Sequence, residues 1–193
     1  MKLDYIKITD KCGEMHGGNQ SDFGRKIKRS GCGMIAACDL LLYLQNKKNI
    51  SDSEYKLFVE NEAKNFFYRF HLNIIGITAT RIIRYLGRKG YSFRFVSRRK
   101  LKGECFEQLI TESLKKGIPV IVRVGLNGNR LAYKVVNPKN GRVFQDTMSW
   151  HYITVTGLKN GVLTYSSWGS AGEMQIDNLQ KNLGFTGGII CLE

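Results

Sequence analysis

The chain is poor in the residues that mark linkers, metal centres and disulfide frameworks. Two prolines, Pro119 and Pro138, occur in 193 residues, and no Pro- or Ser-rich stretch, low-complexity run or internal repeat is present. One domain spanning residues 1–193 is therefore expected. The three histidines, His16, His71 and His151, are far apart, and none stands beside Cys or an acid at ligand spacing. That pattern excludes a metal site of ordinary spacing, and no cofactor is expected. The five cysteines, Cys12, Cys32, Cys38, Cys105 and Cys191, are odd in number and include no CxxC pair. This speaks against a disulfide framework or zinc ribbon and for a reducing, cytoplasmic setting. No apolar run reaches the length of a membrane span. Residues 1–8 alternate charged and apolar side chains, which reads as a strand rather than a signal peptide. Phosphate-loop and dinucleotide fingerprints are absent.

Acidic residues are the other scarcity. The net charge is +14, from 30 basic and 16 acidic residues. No acid occurs from residue 63 to residue 103, a span with eleven Lys and Arg. Two tight basic clusters stand out, Arg25-Lys26-Ile27-Lys28-Arg29 and Arg98-Arg99-Lys100-Leu101-Lys102. Such runs are commonly solvated faces; their functional meaning would be attraction to an anionic polymer or anionic surface. No aromatic-rich RNA-binding signature or zinc finger accompanies them, so nucleic acid is not the expected partner.

What is present is a core: 42% of residues are hydrophobic. The first half reads as mostly helical. An opening strand at about 2–9 leads to the loop Gly17-Gly18-Asn19-Gln20 and a helix from Cys32 to about 45, apolar on nearly every face and hence buried. Ser51-Asp52-Ser53-Glu54 fits a capping box, and Tyr55, Phe58, Val59, Ala63, Phe66, Phe67 and Phe70 form an apolar stripe after it. A third helix follows Thr78, a strand runs from Tyr91 to Val96, and a fourth helix spans about 104–116. The second half reads as strands: Ile118–Val124, His151–Gly157, Val162–Ser166, Glu173–Ile176 and Gly188–Leu192. Asn160-Gly161 between two of them is a strong hairpin signal. Helices followed by antiparallel strands indicate an α+β fold.

Cys32 stands at the mouth of the buried helix, where unpaired N–H groups and the helix dipole favour a thiolate. Cys38, six residues further on, reads as core. A nucleophilic cysteine needs a base, an oxyanion donor and a group that orients the base. His151, opening a strand in the sheet half, is the candidate base. Gln20, upstream of Cys32, is the candidate oxyanion donor, and Ser166, ending the next strand, the candidate orienter. His16 could line the cleft, whereas His71 reads as structural.

Gln20, then Gly31-Cys32-Gly33 opening an apolar helix, then His151-Tyr152-Ile153-Thr154-Val155-Thr156-Gly157, then Ser167-Trp168-Gly169, resembles the papain-like cysteine peptidases. Within that superfamily the chain most resembles the C39-like peptidases of bacteria. The resemblance implies a papain-like fold, its nucleophile helix packed against an antiparallel sheet. It implies a cysteine peptidase that cleaves a peptide or isopeptide bond through a Cys32–His151 thiolate–imidazolium pair. Gly31, Gly33, Trp150 and Trp168 would line the substrate cleft, Trp168 shielding the histidine. Two features depart from the family's pattern. Ser166 stands where papain-like enzymes carry Asn and C39-like ones Asp, which leaves a Cys-His dyad or an acid from elsewhere, such as Asp146 or Asp177. The basic segment Arg25–Arg29 lengthens the interval between Gln20 and Cys32, and is expected to loop over the cleft and bias it toward anionic groups. Two other readings share the scaffold: acyl transfer to an amine, as in a transglutaminase-like reaction, and a non-catalytic binding module working through its basic surface.

Overall fold

The computed structural model describes residues 1–67, 76–101, 104–126, 131–136, 141 and 143–193, without the side chains of residues 104, 105 and 144–146. Phe70, His71, Lys102 and Pro138, and the side chains of Cys105 and Asp146, lie outside the described residues. The chain opens with the hairpin β1 (Lys7–Asp10) and β2 (Gly13–His16), a 3-10 turn at Gln20–Asp22, and the short helix α1 (Arg25–Ser30). Next come α2 (Cys32–Leu44), β3 (Asn49–Ser51), α3 (Asp52–Ala63), α4 (Ala79–Arg88), β4 (Phe93–Ser97) and α5 (Glu104–Lys115). The remainder is β5 (Val120–Val124), β6 (Leu131–Val136), β7 (Val143–Met148), β8 (His151–Lys159), β9 (Val162–Ser167), β10 (Ser170–Gln175), α6 (Ile176–Lys181) and β11 (Gly188–Leu192).

Together these make a mixed α+β fold. Eight strands form one antiparallel sheet in the order β4-β11-β5-β8-β9-β10-β6-β7, and β2-β1-β3 form a small second sheet. Alternation along each strand sends side chains to two cores. Ile121, Tyr152 and Ile190 join the core built with α2, α3, α4 and the small sheet. Val120, Val122, Ile153, Val155 and Ile189 join the core that also holds residues of α5 and α6. β8 is buried from His151 to Gly157, as a central strand covered on both faces must be. Among the described residues no helix is long and apolar enough to cross a membrane.

Local chemistry sets most of the boundaries. Ser51 and Glu54 close the expected capping box at the start of α3, and Thr78 accepts the Arg81 N–H at the start of α4. Asn160 and Gly161 turn the β8–β9 hairpin with φ of 50° and 75°, the left-handed pair such a turn requires. The basic segment expected to loop out is instead helical. In α1 Ile27 and Ser30 turn inward, so burying an isoleucine fixes the segment as a turn of helix against α2. The sequence pattern does not reveal β2, β3, the β6–β7 hairpin or α6.

The seat of α2 depends on a glycine. A Cβ on Gly33 would lie 3.0 Å from the Tyr152 ring and 3.1 Å from Ile77 Cβ. The ring itself is held by its hydroxyl, which donates to the Ile77 carbonyl at 2.9 Å. Gly33→Ala is therefore expected to push α2 off β8 and cost about 1–3 kcal/mol, the range for overpacking a filled core. Urea unfolding checks the loss, and wild-type stability would refute the close approach.

Candidate active site

Cys32 is the first residue of α2, directly after the Gly31 cap. It is half-buried, and the backbone N–H groups of Tyr152, Gly33 and Cys32 itself are directed at its sulfur. His151 is the first residue of β8 and is buried. Its Nε2 lies 2.7 Å from Ser167 Oγ, and its ring stacks on Trp168 with centroids 3.9 Å apart and planes 11° from parallel. Tyr133 packs on Trp168 at 4.7 Å. Trp168 takes a positive φ of 49° at the β9–β10 turn, and Gly169 follows at 74°. That tight turn brings the indole back over the imidazole.

Cys32, His151, Gln20, Ser166 and Trp168, distant in sequence, line one cavity of about 20 Å³, open to solvent on one side. Its volume is that of about one water molecule. Gln20 Nε2 donates a hydrogen bond to the Lys28 carbonyl at 2.8 Å, which occupies one of its two N–H donors. Among the described residues no hydrogen bond joins the thiol to the imidazole, and Ser167 is the partner of the histidine.

Several expected placements differ. Ser166 does not orient His151: its hydroxyl donates to the His16 carbonyl at 2.7 Å. Successive strand residues point to opposite faces, so only one of Ser166 and Ser167 can meet the ring. Gly31 and Gly33 are buried and take no part in the cavity wall, because both serve close packing, Gly31 against Ile27 and Gly33 against Tyr152. Trp150 is 39% exposed and stands under the Arg123 guanidinium, 5.4 Å from ring centroid to charge, outside the cavity. His16 is half-buried and is likewise absent from the wall. Asp177 is exposed in the first turn of α6, away from the histidine. Cys38 is fully buried core.

The acid in the wall is Asp39, which the sequence reading passed over. It lies two turns after Cys32 on the same face of α2 and is 2% exposed. Its carboxylate accepts the Tyr55 hydroxyl at 2.6 Å and the Gly18 N–H at 2.9 Å, so it ties α2 to α3 and to the Gln20 loop. One signal was available: an acid inside the run from Met34 to Leu44 must be satisfied by some partner.

Electrostatics in the site are ruled by burial. Burial pushes the Cys32 thiol above its ordinary range, and the N–H groups of Tyr152, Gly33 and Cys32, with the Arg123 charge, recover only part of that. Burial alone lowers His151 to about 3. Burial thus favours a neutral thiol and a neutral imidazole over the expected thiolate–imidazolium pair. Desolvation of two charges outweighs the helix N-terminus because no carboxylate compensates the imidazolium. Among the described residues no group of three or more His, Cys, Asp or Glu is placed to hold a metal ion, and Cys12, Cys32, Cys38 and Cys191 are free thiols.

Comparison with known proteins gives no family: no protein-family model matches the chain, and no curated protein matches it.

Two outcomes follow from the geometry. Ser167→Ala leaves the buried Nε2 without its partner, an expected cost of about 1–3 kcal/mol. The His151 ring signals in NMR should move in Ser167→Ala and stay in Ser166→Ala; the reverse would refute the assigned partner. The second concerns acid stability. His151 and His16 stay neutral in the fold down to about 3 and about 4, so the unfolded chain binds their protons first and stability falls as pH drops below about 6.5. Asp39, raised to about 6 by burial, keeps its proton in the fold and opposes that slope between its ordinary 3.8 and 6. Asp39→Asn should therefore steepen the rise of unfolding free energy between pH 4 and 6, as urea titrations would measure. An unchanged slope would refute the buried titrating carboxyl.

Proposed function

We propose that the chain is a cysteine peptidase of the papain-like, C39-like type, with Cys32 as nucleophile and His151 as base. The observation that carries the reading is the single cavity walled by Cys32, Gln20, His151 and Trp168, with Ser167 bonded to the imidazole. The placement of the nucleophile at the start of a buried helix and of the base on the central strand β8 also supports it.

Because burial favours both groups neutral, the proton moves as the carbon–sulfur bond forms. In the tautomer this mechanism requires, Nε2–H donates to Ser167 Oγ and Nδ1 keeps the lone pair. Cys32 Sγ attacks the substrate carbonyl carbon while its proton passes to Nδ1. The carbonyl oxygen becomes an oxyanion, held by the Cys32 N–H and the second N–H of Gln20. Collapse breaks the C–N bond, and the amine leaves with the proton from Nδ1. Water then attacks the thioester with His151 as base, giving the acid and restoring the thiol. Trp168, stacked on the ring, keeps water off the His151–Ser167 bond. A serine offers no negative charge to the imidazolium that forms, so this step is expected to be slower than with a carboxylate.

The neutral pair favours a second reading, a binding module that keeps the fold without turnover. One experiment separates the two. Incubation with a proteome-derived peptide library should generate new peptide termini, read by mass spectrometry, that Cys32→Ala and His151→Ala abolish. Gln20→Ala should lower kcat by about 10²–10³, the usual effect of one oxyanion donor. Termini unchanged by Cys32→Ala, or none at all, would overturn the peptidase reading. Added hydroxylamine would trap the acyl group if an amine competes with water for the thioester.

A further inference from the structure

Basic groups stand on α1, the helix tied to Gln20 and leading into Cys32, and on the strand paired with the start of β8. α1 exposes Arg25, Lys26, Lys28 and Arg29, with Ile27 and Ser30 turned inward. The helix is fastened to the site at two points. Gln20 Nε2 donates to the Lys28 carbonyl at 2.8 Å, and the Gly31 N–H donates to the Ile27 carbonyl at 2.7 Å directly before Cys32. Residues 20–31 hold four cations and one anion, Asp22. The ion pairs of Lys7 with Glu14, Lys56 with Asp52 and Lys89 with Glu62 lie on other elements.

A fifth cation comes from the sheet. Arg123 lies opposite Tyr152 in the β5–β8 pair, one residue along from His151. It is half-buried, and its guanidinium stands over the Trp150 ring at 5.4 Å. Its charge reaches the thiol, drawing the Cys32 pKa down against the larger effect of burial.

We propose that the cleft takes acidic peptides, with α1 and Arg123 attracting Asp and Glu side chains that flank the bond presented to Cys32. The proposal rests on the peptidase reading for what happens to the bond, and on charge and geometry alone for what binds. A cluster of like charges around a low-dielectric cleft raises the local concentration of the opposite ion and loses that effect in salt.

The test uses two alkylating agents of similar size on the full chain, anionic iodoacetate and neutral iodoacetamide, with the exposed Cys12 as internal control. The iodoacetate-to-iodoacetamide rate ratio at Cys32, divided by that at Cys12, should exceed unity by about threefold or more and fall toward unity in 0.5 M NaCl, on the order of magnitude of electrostatic steering. It should also fall in Lys28→Gln/Arg29→Gln and in Arg123→Gln. It should hold in Arg98→Gln/Arg99→Gln, which directly follow strand β4, itself separated from β8 by β11 and β5. The Lys28/Arg29 pair is exposed, so this variant tests the idea even if Arg123→Gln fails to fold.

In a second arm, a Glu-rich peptide should protect Cys32 from iodoacetamide. A Lys-rich peptide of equal length and a single-stranded oligonucleotide of equal charge should not. A ratio near unity, or stronger protection by the oligonucleotide, would overturn the proposal. Anion preference without any peptide cleavage would overturn the peptidase reading alone, and cleavage with a flat ratio would overturn this one alone.

Discussion

The structure depends on how closely α2 can lie against the central strand β8. Gly33 makes that approach possible, and the Tyr152 hydroxyl, bonded to the Ile77 carbonyl, fixes the surface on which the helix rests. Everything in the site hangs from this contact. It brings the first residue of a helix beside the first residue of a strand, and it aims the Tyr152 N–H at the Cys32 sulfur. At Gly33 the contact is close packing, so its geometry there is set by van der Waals radii and tolerates little change.

A buried carboxylate secures the other side of the helix. Asp39 accepts hydrogen bonds from the Tyr55 hydroxyl and the Gly18 N–H, joining three segments that would otherwise be free to shift. An ionised group in that position is costly, and its pKa is accordingly raised to about 6. The same desolvation sets the character of the reactive pair. Burial raises the thiol and lowers the histidine, which favours the neutral form of each, and an uncharged serine stands where an acid would hold an imidazolium. Trp168 adds to that dryness by covering the ring.

Much of the fold was legible along the chain. The capping box at Ser51, the cap at Thr78 and the Asn160-Gly161 turn are local devices, each specified within four residues. The helix from Cys32 to Leu44 was legible for a different reason, an apolar run too long for a strand and too thoroughly apolar for a surface helix. The β6–β7 hairpin was not legible. Its buried residues, Leu131, Val135 and Met148, alternate with polar ones too sparsely for periodicity to reveal them. The segment Arg25–Arg29 read as a loop because charge dominated its composition, while the one residue that makes it a helix, Ile27, is significant only once its packing is seen.

For the site, sequence by itself determined the candidates: a cysteine at a helix start, a histidine opening a strand, a glutamine upstream and a tryptophan at a turn. These are marked by local context, and local context is written in neighbouring residues. Tertiary structure alone decided which of them share a cavity, which serine meets the imidazole, and that Gly31, Gly33 and Trp150 stand outside it. It also set the burial that favours the neutral form of each group. Which face a strand residue shows depends on register, and whether a thiol or an imidazole can ionise depends on how much water and countercharge the whole fold leaves around it.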